Sequence, residues 1–251
     1  MLYSNERTRN RLASTTKEFD ITATTRIPLG APRSRILESR PVHLSEEAVE
    51  YDAMVRRYLW LLNRPFVEIV SRLGLERGRV LDVGTGPGWI PIELALRHPG
   101  WEIWAVDASE DMLTRARRHA REAGVDGRVH FVHGDATDLP FETGEFDLSV
   151  SHFMLHHITR PEFLFNEMAR VTRGGGRVLI KDLLRQPKWK ASFLLAFSKR
   201  VLGYNEGQLR MYRESMASAF TVEEVRAALK NSRLCMSNIR GFRGLDFVVA
   251  A

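Results

Sequence analysis

Three glycines and three carboxylates in the middle of the chain have the types and spacing to hold a nucleotide. Gly84, Gly86 and Gly88 follow Asp82 in the string VLDVGTGPGWIPIEL, residues 80–94. Glycine takes positive φ at no steric cost, so such a turn lets a ligand lie against main-chain N–H groups at the start of a helix. Asp107 comes about twenty residues later, where a carboxylate at a strand end can accept two hydrogen bonds from a ribose diol. Asp135, in Gly134-Asp135-Ala136, sits at the end of a further strand and faces the same crevice. A fourth strand end carries His152, His156 and His157 after Ser151. Imidazole can ligate a metal or accept a proton near neutral pH. No Asp or Glu stands at ligand spacing beside these histidines, so no metal is expected; His152 or His156 can serve as a base or shape the pocket floor.

These residues require strands that end at one sheet edge. Val80, Leu81 and Val83 form the apolar start of a buried parallel strand, and Ile90 to Leu96 an amphipathic helix. Trp101 to Val106 reads as the next strand, ending at Asp107; Ser109 caps a helix from Glu110 to Ala123, which Gly124 ends. Val129 to Val132 and Phe146 to Val150 are strands three and four. A helix from Pro161 through Arg173, a turn at Gly174 to Gly176 and a fifth strand from Arg177 to Leu184 follow. Upstream, Ser45 caps a helix running to about Leu62, and Pro65 opens another from Phe66 to Leu73. Downstream, residues 186–220 break the alternation with a helix from Trp189 to Leu202 and another through Ala219. A helix from Thr221 and strands near Leu234 to Arg240 and Leu245 to Ala250 complete seven.

The order GxGxG at Gly84, Gly86 and Gly88, Asp107, the Gly-Asp-Ala string at 134–136 and the Leu-His-His strand end together resemble the class I S-adenosylmethionine (SAM) dependent methyltransferases of the quinone-methyltransferase-like group. The resemblance covers about Ala48 to Val249. It implies an α/β, Rossmann-like doubly wound sheet whose seventh strand runs antiparallel between the fifth and sixth, with an N-terminal helical lid beginning at Tyr51-Asp52 and a substrate-specific lid insert after strand five. It implies SAM contacts at Asp82, Gly84, Thr85, Gly86, Gly88, Asp107, Ala108, Met112, Asp135, Ala136, Ser151 and Tyr51. Tyr58, Tyr204, Met211 and Tyr212 become candidates for the acceptor site, although helix packing accounts for them as well. The implied reaction is in-line transfer of the SAM methyl group to a small-molecule acceptor, leaving S-adenosylhomocysteine.

The 251 residues, 44% hydrophobic, suit one domain, residues 45–251, behind an irregular extension, residues 1–44. That extension holds eight Lys or Arg against four Asp or Glu, most of the excess in a formal charge of +6. Without interleaved aromatic residues it reads as a solvated arm more than a nucleic-acid-binding one. No apolar run approaches a membrane-spanning length, which leaves only peripheral membrane contact, and the lone Cys235 suits a reducing cytoplasm. Oligomeric state has no sequence signal. Three alternatives stay open: an RNA methyltransferase, which lacks its amine-binding motif after strand four; a non-catalytic SAM-binding module; and a dehydrogenase, against which Trp89 stands where a third glycine is needed.

Overall fold

The expected alternation closes into one seven-stranded sheet in a computed structural model, which describes residues 35–36, 45–58, 63–242 and 244–251. Two helices come first, α1 (Ser45–Arg57) and α2 (Arg64–Ser71). Then follow β1 (Gly78–Val83), α3 (Trp89–Arg97), β2 (Trp101–Asp107), α4 (Glu110–Glu122), β3 (Val129–His133), β4 (Phe146–His152), α5 (Pro161–Val171) and β5 (Thr172–Leu183). The chain ends with α6 (Lys188–Phe197), α7 (Glu206–Ser218), α8 (Val222–Lys230), β6 (Asn238–Phe242) and β7 (Asp246–Ala250). Most of the expected 1–44 extension, and the expected end of the first helix at residues 59–62, lie outside the described residues.

The strand order is β3-β2-β1-β4-β5-β7-β6. β1 to β5 run parallel, and β7 lies antiparallel between β5 and β6. Alternate residues of a strand face opposite sides, so β1 feeds two cores. Leu81 and Val83 pack with Phe165, Met168 and Val225 on one face, Val80 with Val67, Leu94 and Leu148 on the other. Burial on both faces explains why these strands read as apolar runs. The order reverses between β1 and β4, and the crevice at that switch point is where an open α/β sheet takes its ligand.

Several boundaries depart from expectation. The glycines at 174–176 form no separate turn: β5 begins at Thr172, and its register against β4 slips between Phe146↔Thr172 and Leu148↔Arg177, so the glycines sit in a bulge. The helix expected from Trp189 to Leu202 is α6 followed by a π-helical turn at Ser198–Leu202. β6 starts at Asn238, because Leu234 is buried in a turn against the core. The capping readings at Ser109 and Thr221 agree with the structure: Ser109 Oγ accepts from Met112 N, and Thr221 forms a reciprocal box with Glu224.

Candidate functional site

β1 delivers Asp82 and the glycine turn to the sheet edge. Gly84, Gly86 and Gly88 have φ of 75°, 55° and 81°, values a β-carbon would disfavour. Their amides, however, do not point at a ligand. Gly84 and Thr85 N–H both donate to Val106 O, Gly86 N–H to Asp107 Oδ2 at 2.7 Å and Gly88 N–H to Thr85 O. The turn is braced by β2 and offers its Cα surface. Gly88 does not reach the cavity: a β-carbon there would meet Ala116 at 2.7 Å, so its function is helix packing.

A cavity of about 800 Å³ opens over this edge. Asp82, Gly84, Thr85, Gly86, Asp107, Ala108, Met112, Asp135, Ala136 and Tyr51 all line it, as do His152, His156, Tyr204, Met211 and Tyr212. Two buried polar atoms in its wall, Asp82 Oδ2 and Thr85 Oγ1, find no hydrogen-bond partner beyond each other. Burial pushes the Asp82 carboxyl up to about 7, against a side-chain hydrogen bond with Thr85 and with the nearby Asp107 charge adding. Asp107 Oδ1 accepts from Ser109 N–H, and Asp135 Oδ1 from the N–H and hydroxyl of Thr137. A carboxylate oxygen accepts more than one bond, so both acids keep capacity for a ligand. An ammonium group, a ribose diol and an adenine amino group are all donors, and three carboxylates fit them.

Two more expected site residues, besides Gly88, lie elsewhere. Ser151 is fully buried and donates to Val83 O at 2.9 Å, tying β4 to β1 away from the cavity. Tyr58 is buried, its hydroxyl donating to Leu202 O and its ring 5.3 Å from Tyr204. It packs the end of α1 against residues 202–204. α1 is also clamped from the other side: Asp52 accepts from Trp89 Nε1 at 2.9 Å and lies 3.3 Å from His119 Nε2, whose ring stacks on Trp89.

The floor of the other half of the cavity holds Lys181, a charged residue that the sequence reading passed over together with its neighbour Asp182. The two are adjacent in β5 and almost fully buried, and alternation sends them to opposite faces, so Asp182 lies behind the cavity wall. Lys181 Nζ lies 2.8 Å from Asp246, 3.4 Å from His152 Nε2 and 4.2 Å from the centroid of the Phe153 ring. Phe153 has φ of 54°, unusual for a residue with a β-carbon. His152 is sandwiched by Phe66 and Phe153, and burial with the Lys181 ammonium holds its basicity well below that of ordinary imidazole. That corrects the expectation of His152 as a base, since its lone pair faces a cation. Asp182 instead holds His156, Oδ1 to Nδ1 at 2.7 Å, while Oδ2 accepts from the His156 amide. A two-charge interruption of the apolar string VLIKDLL was the available signal. Outside the cavity, Arg35 donates to the carbonyls of His156, Ile158 and Ser218 and so ties the turn after β4 to the end of α7.

Comparison with known proteins bears on this geometry. The family described as "Methyltransferase domain" matches residues 80–176. A demethylmenaquinone methyltransferase of Thermus thermophilus is 31% identical over 195 residues, covering 74% of this chain and 87% of that protein. The chain belongs to the SAM-dependent methyltransferases of this quinone-methyltransferase-like family. Another family member, a demethylmenaquinone methyltransferase of Clavibacter sepedonicus, is 41% identical over 109 residues, and the match spans only 42% of its length and 43% of this chain. Among solved structures, a SAM-dependent methyltransferase from Methanococcus maripaludis shares the fold at 21% identity, with a TM-score of 0.65 over 86% of this chain and 95% of that one. The family match at 80–176 contains the glycine turn, Asp107, Asp135 and His156 but stops before Lys181 and residues 186–220.

Proposed function

We propose that this chain transfers a methyl group from SAM to a small-molecule acceptor, with residues 45–251 as the catalytic domain and 186–220 as its acceptor lid. The observation that carries this reading is the single cavity in which carboxylates suited to SAM meet a second half walled by tyrosines and floored by the Lys181–Asp246 pair. SAM, when bound, supplies an electrophilic sulfonium methyl; as the acceptor bonds to that carbon, the carbon–sulfur bond breaks and neutral S-adenosylhomocysteine leaves. Asp82, Asp107 and Asp135 hold the donor's ammonium, ribose and adenine groups, with Thr85, Ala108, Met112, Ala136 and Tyr51 filling the walls. Tyr204, Met211 and Tyr212 exclude water and orient the acceptor, the positioning on which this chemistry depends. The tyrosines act as neutral groups, since burial raises the pKa of both, that of Tyr212 to about 12.

Where the acceptor must lose a proton, His156 is the group to take it. Asp182 fixes Nδ1 as the protonated nitrogen, which leaves the imidazole lone pair on Nε2. Lys181 offers positive charge to an acceptor oxygen. No helix among the described residues is long and apolar enough to cross a membrane. We place the activity in the cytoplasm, which the lone Cys235 suits. The test is calorimetric titration with SAM, S-adenosylhomocysteine and NADH side by side, followed by a screen of phenolic and quinol acceptors with labelled SAM. Binding of the first two alone, with label transfer, is expected; NADH binding, or a folded protein that binds none, refutes the reading.

A further inference from the structure

The outer face of the lid helix α6 is apolar and uncovered. Trp189, Phe193, Phe197 and Val201 are 69%, 64%, 43% and 63% exposed, and α6 has no buried residue. The other exposed large apolar side chains among the described residues stand far from one another in the sequence, which needs no explanation. These four recur every fourth residue. In an α-helix of 3.6 residues per turn a four-residue step overshoots by about 40°, so the stripe would drift around the axis. The π-helical turn at Ser198–Leu202 takes more residues per turn and brings Val201 back towards the line of Phe197.

We propose that this stripe seats the protein on an anionic lipid bilayer. Residues 188–202 contain Lys188, Lys190, Lys199 and Arg200 and no acidic residue. Lys188, Lys199 and Arg200 are exposed. Lys190 donates to Gly244 O, and Lys199 pairs with exposed Glu206, so the cationic flank is anchored to the domain. An apolar stripe with a tryptophan and flanking cations is the pattern of a helix that lies in the headgroup plane. A second copy of the chain would set Lys188 and Arg200 against their own counterparts, which favours the anionic surface. Phe197 belongs both to the stripe and to the cavity wall, and Leu194 of the same helix lines the cavity. The bilayer-facing side is therefore contiguous with the acceptor half, and an apolar acceptor can pass between them without crossing water. That last step rests on the proposed methyl transfer; the docking itself does not.

The experiment is co-sedimentation of the full chain with vesicles of phosphatidylcholine alone and of phosphatidylcholine containing phosphatidylglycerol, across salt concentrations. Binding to the anionic vesicles, weakening at high salt and scant on the neutral ones, is expected. The variant Trp189→Ser/Phe193→Ser should lose about tenfold or more of the partition while binding SAM as the wild type does. Wild-type protein that stays in solution with anionic vesicles, or a double variant that partitions equally, overturns the proposal. So does a dimer in sedimentation velocity that the double variant dissolves while vesicles remain unbound, because a second copy then covers the stripe. Loss of SAM binding in the wild type alongside intact partition would fail the methyltransferase reading alone.

Discussion

Raising the pH from 5.5 to 7 is expected to tighten SAM binding by about fifteenfold, and Asp82→Asn is expected to remove most of that slope. Asp82 is 1% exposed, lines the cavity, has no partner for Oδ2 beyond Thr85 and titrates at about 7. At pH 5.5 such a group is ionised in only about 3% of molecules and at pH 7 in half, so a ligand that pairs its ammonium with the ionised form must displace a proton at the lower pH. The sign for the free protein is opposite. Between 3.8, the ordinary value, and about 7 the folded state holds a proton that the unfolded chain has released. Stability without ligand therefore falls as pH rises through that window, by roughly 4 kcal/mol at 1.36 kcal/mol per pH unit. Calorimetry in two buffers of different ionisation heat counts the protons: close to one released at pH 5.5, about half at pH 7, and almost none from Asp82→Asn at either pH. Equal affinity at both pH values, with no proton release and a variant indistinguishable from wild type, would refute the pairing of Asp82 with the cationic end of the ligand.

Four further outcomes follow from the contacts. Asp107→Ala removes the acceptor of the Gly86 and Ser109 amides as well as that of a ribose diol, at about 1.5–3 kcal/mol per charge-assisted bond; SAM affinity should fall well over tenfold in titrations on folded protein. Asp52→Ala strips the α1 clamp from Trp89 and His119, and urea unfolding should show a loss of about 2–4 kcal/mol with SAM binding weakened. Lys181→Met takes the buried cation from beside the Asp246 carboxylate, a destabilisation of about 3–5 kcal/mol in urea that Lys181→Met/Asp246→Leu should largely recover. Arg35→Ala frees the carbonyls of His156 and Ser218, and acceptor turnover should drop while SAM affinity stays within about threefold.

The cofactor half was legible because its residues obey local rules. A strand, a glycine turn and a helix occupy contiguous sequence, so Asp82, Gly84 and Gly86 announce their own geometry, and Asp107 follows at the end of the next strand. Even there the reading erred where a backbone partner lay outside the local string. Gly84 to Gly86 donate to Val106 and Asp107, and nothing in the turn says that its amides are already taken. Ser151 and Tyr58 failed for the same reason, their hydroxyls being claimed by Val83 O and Leu202 O. The other half of the cavity follows from sheet order. Lys181 meets Asp246 only because β7 inserts antiparallel beside β5, pairing Leu183 with Asp246 and so setting that carboxylate on the face Lys181 uses. Asp182 reaches His156 on the opposite face through the turn after β4. A buried charge pair is stabilised only when its partner arrives, so two charged residues inside an apolar strand imply a partner without naming it. The charges in VLIKDLL thus carried the information that a site was present, and the strand order supplied the identity of its members.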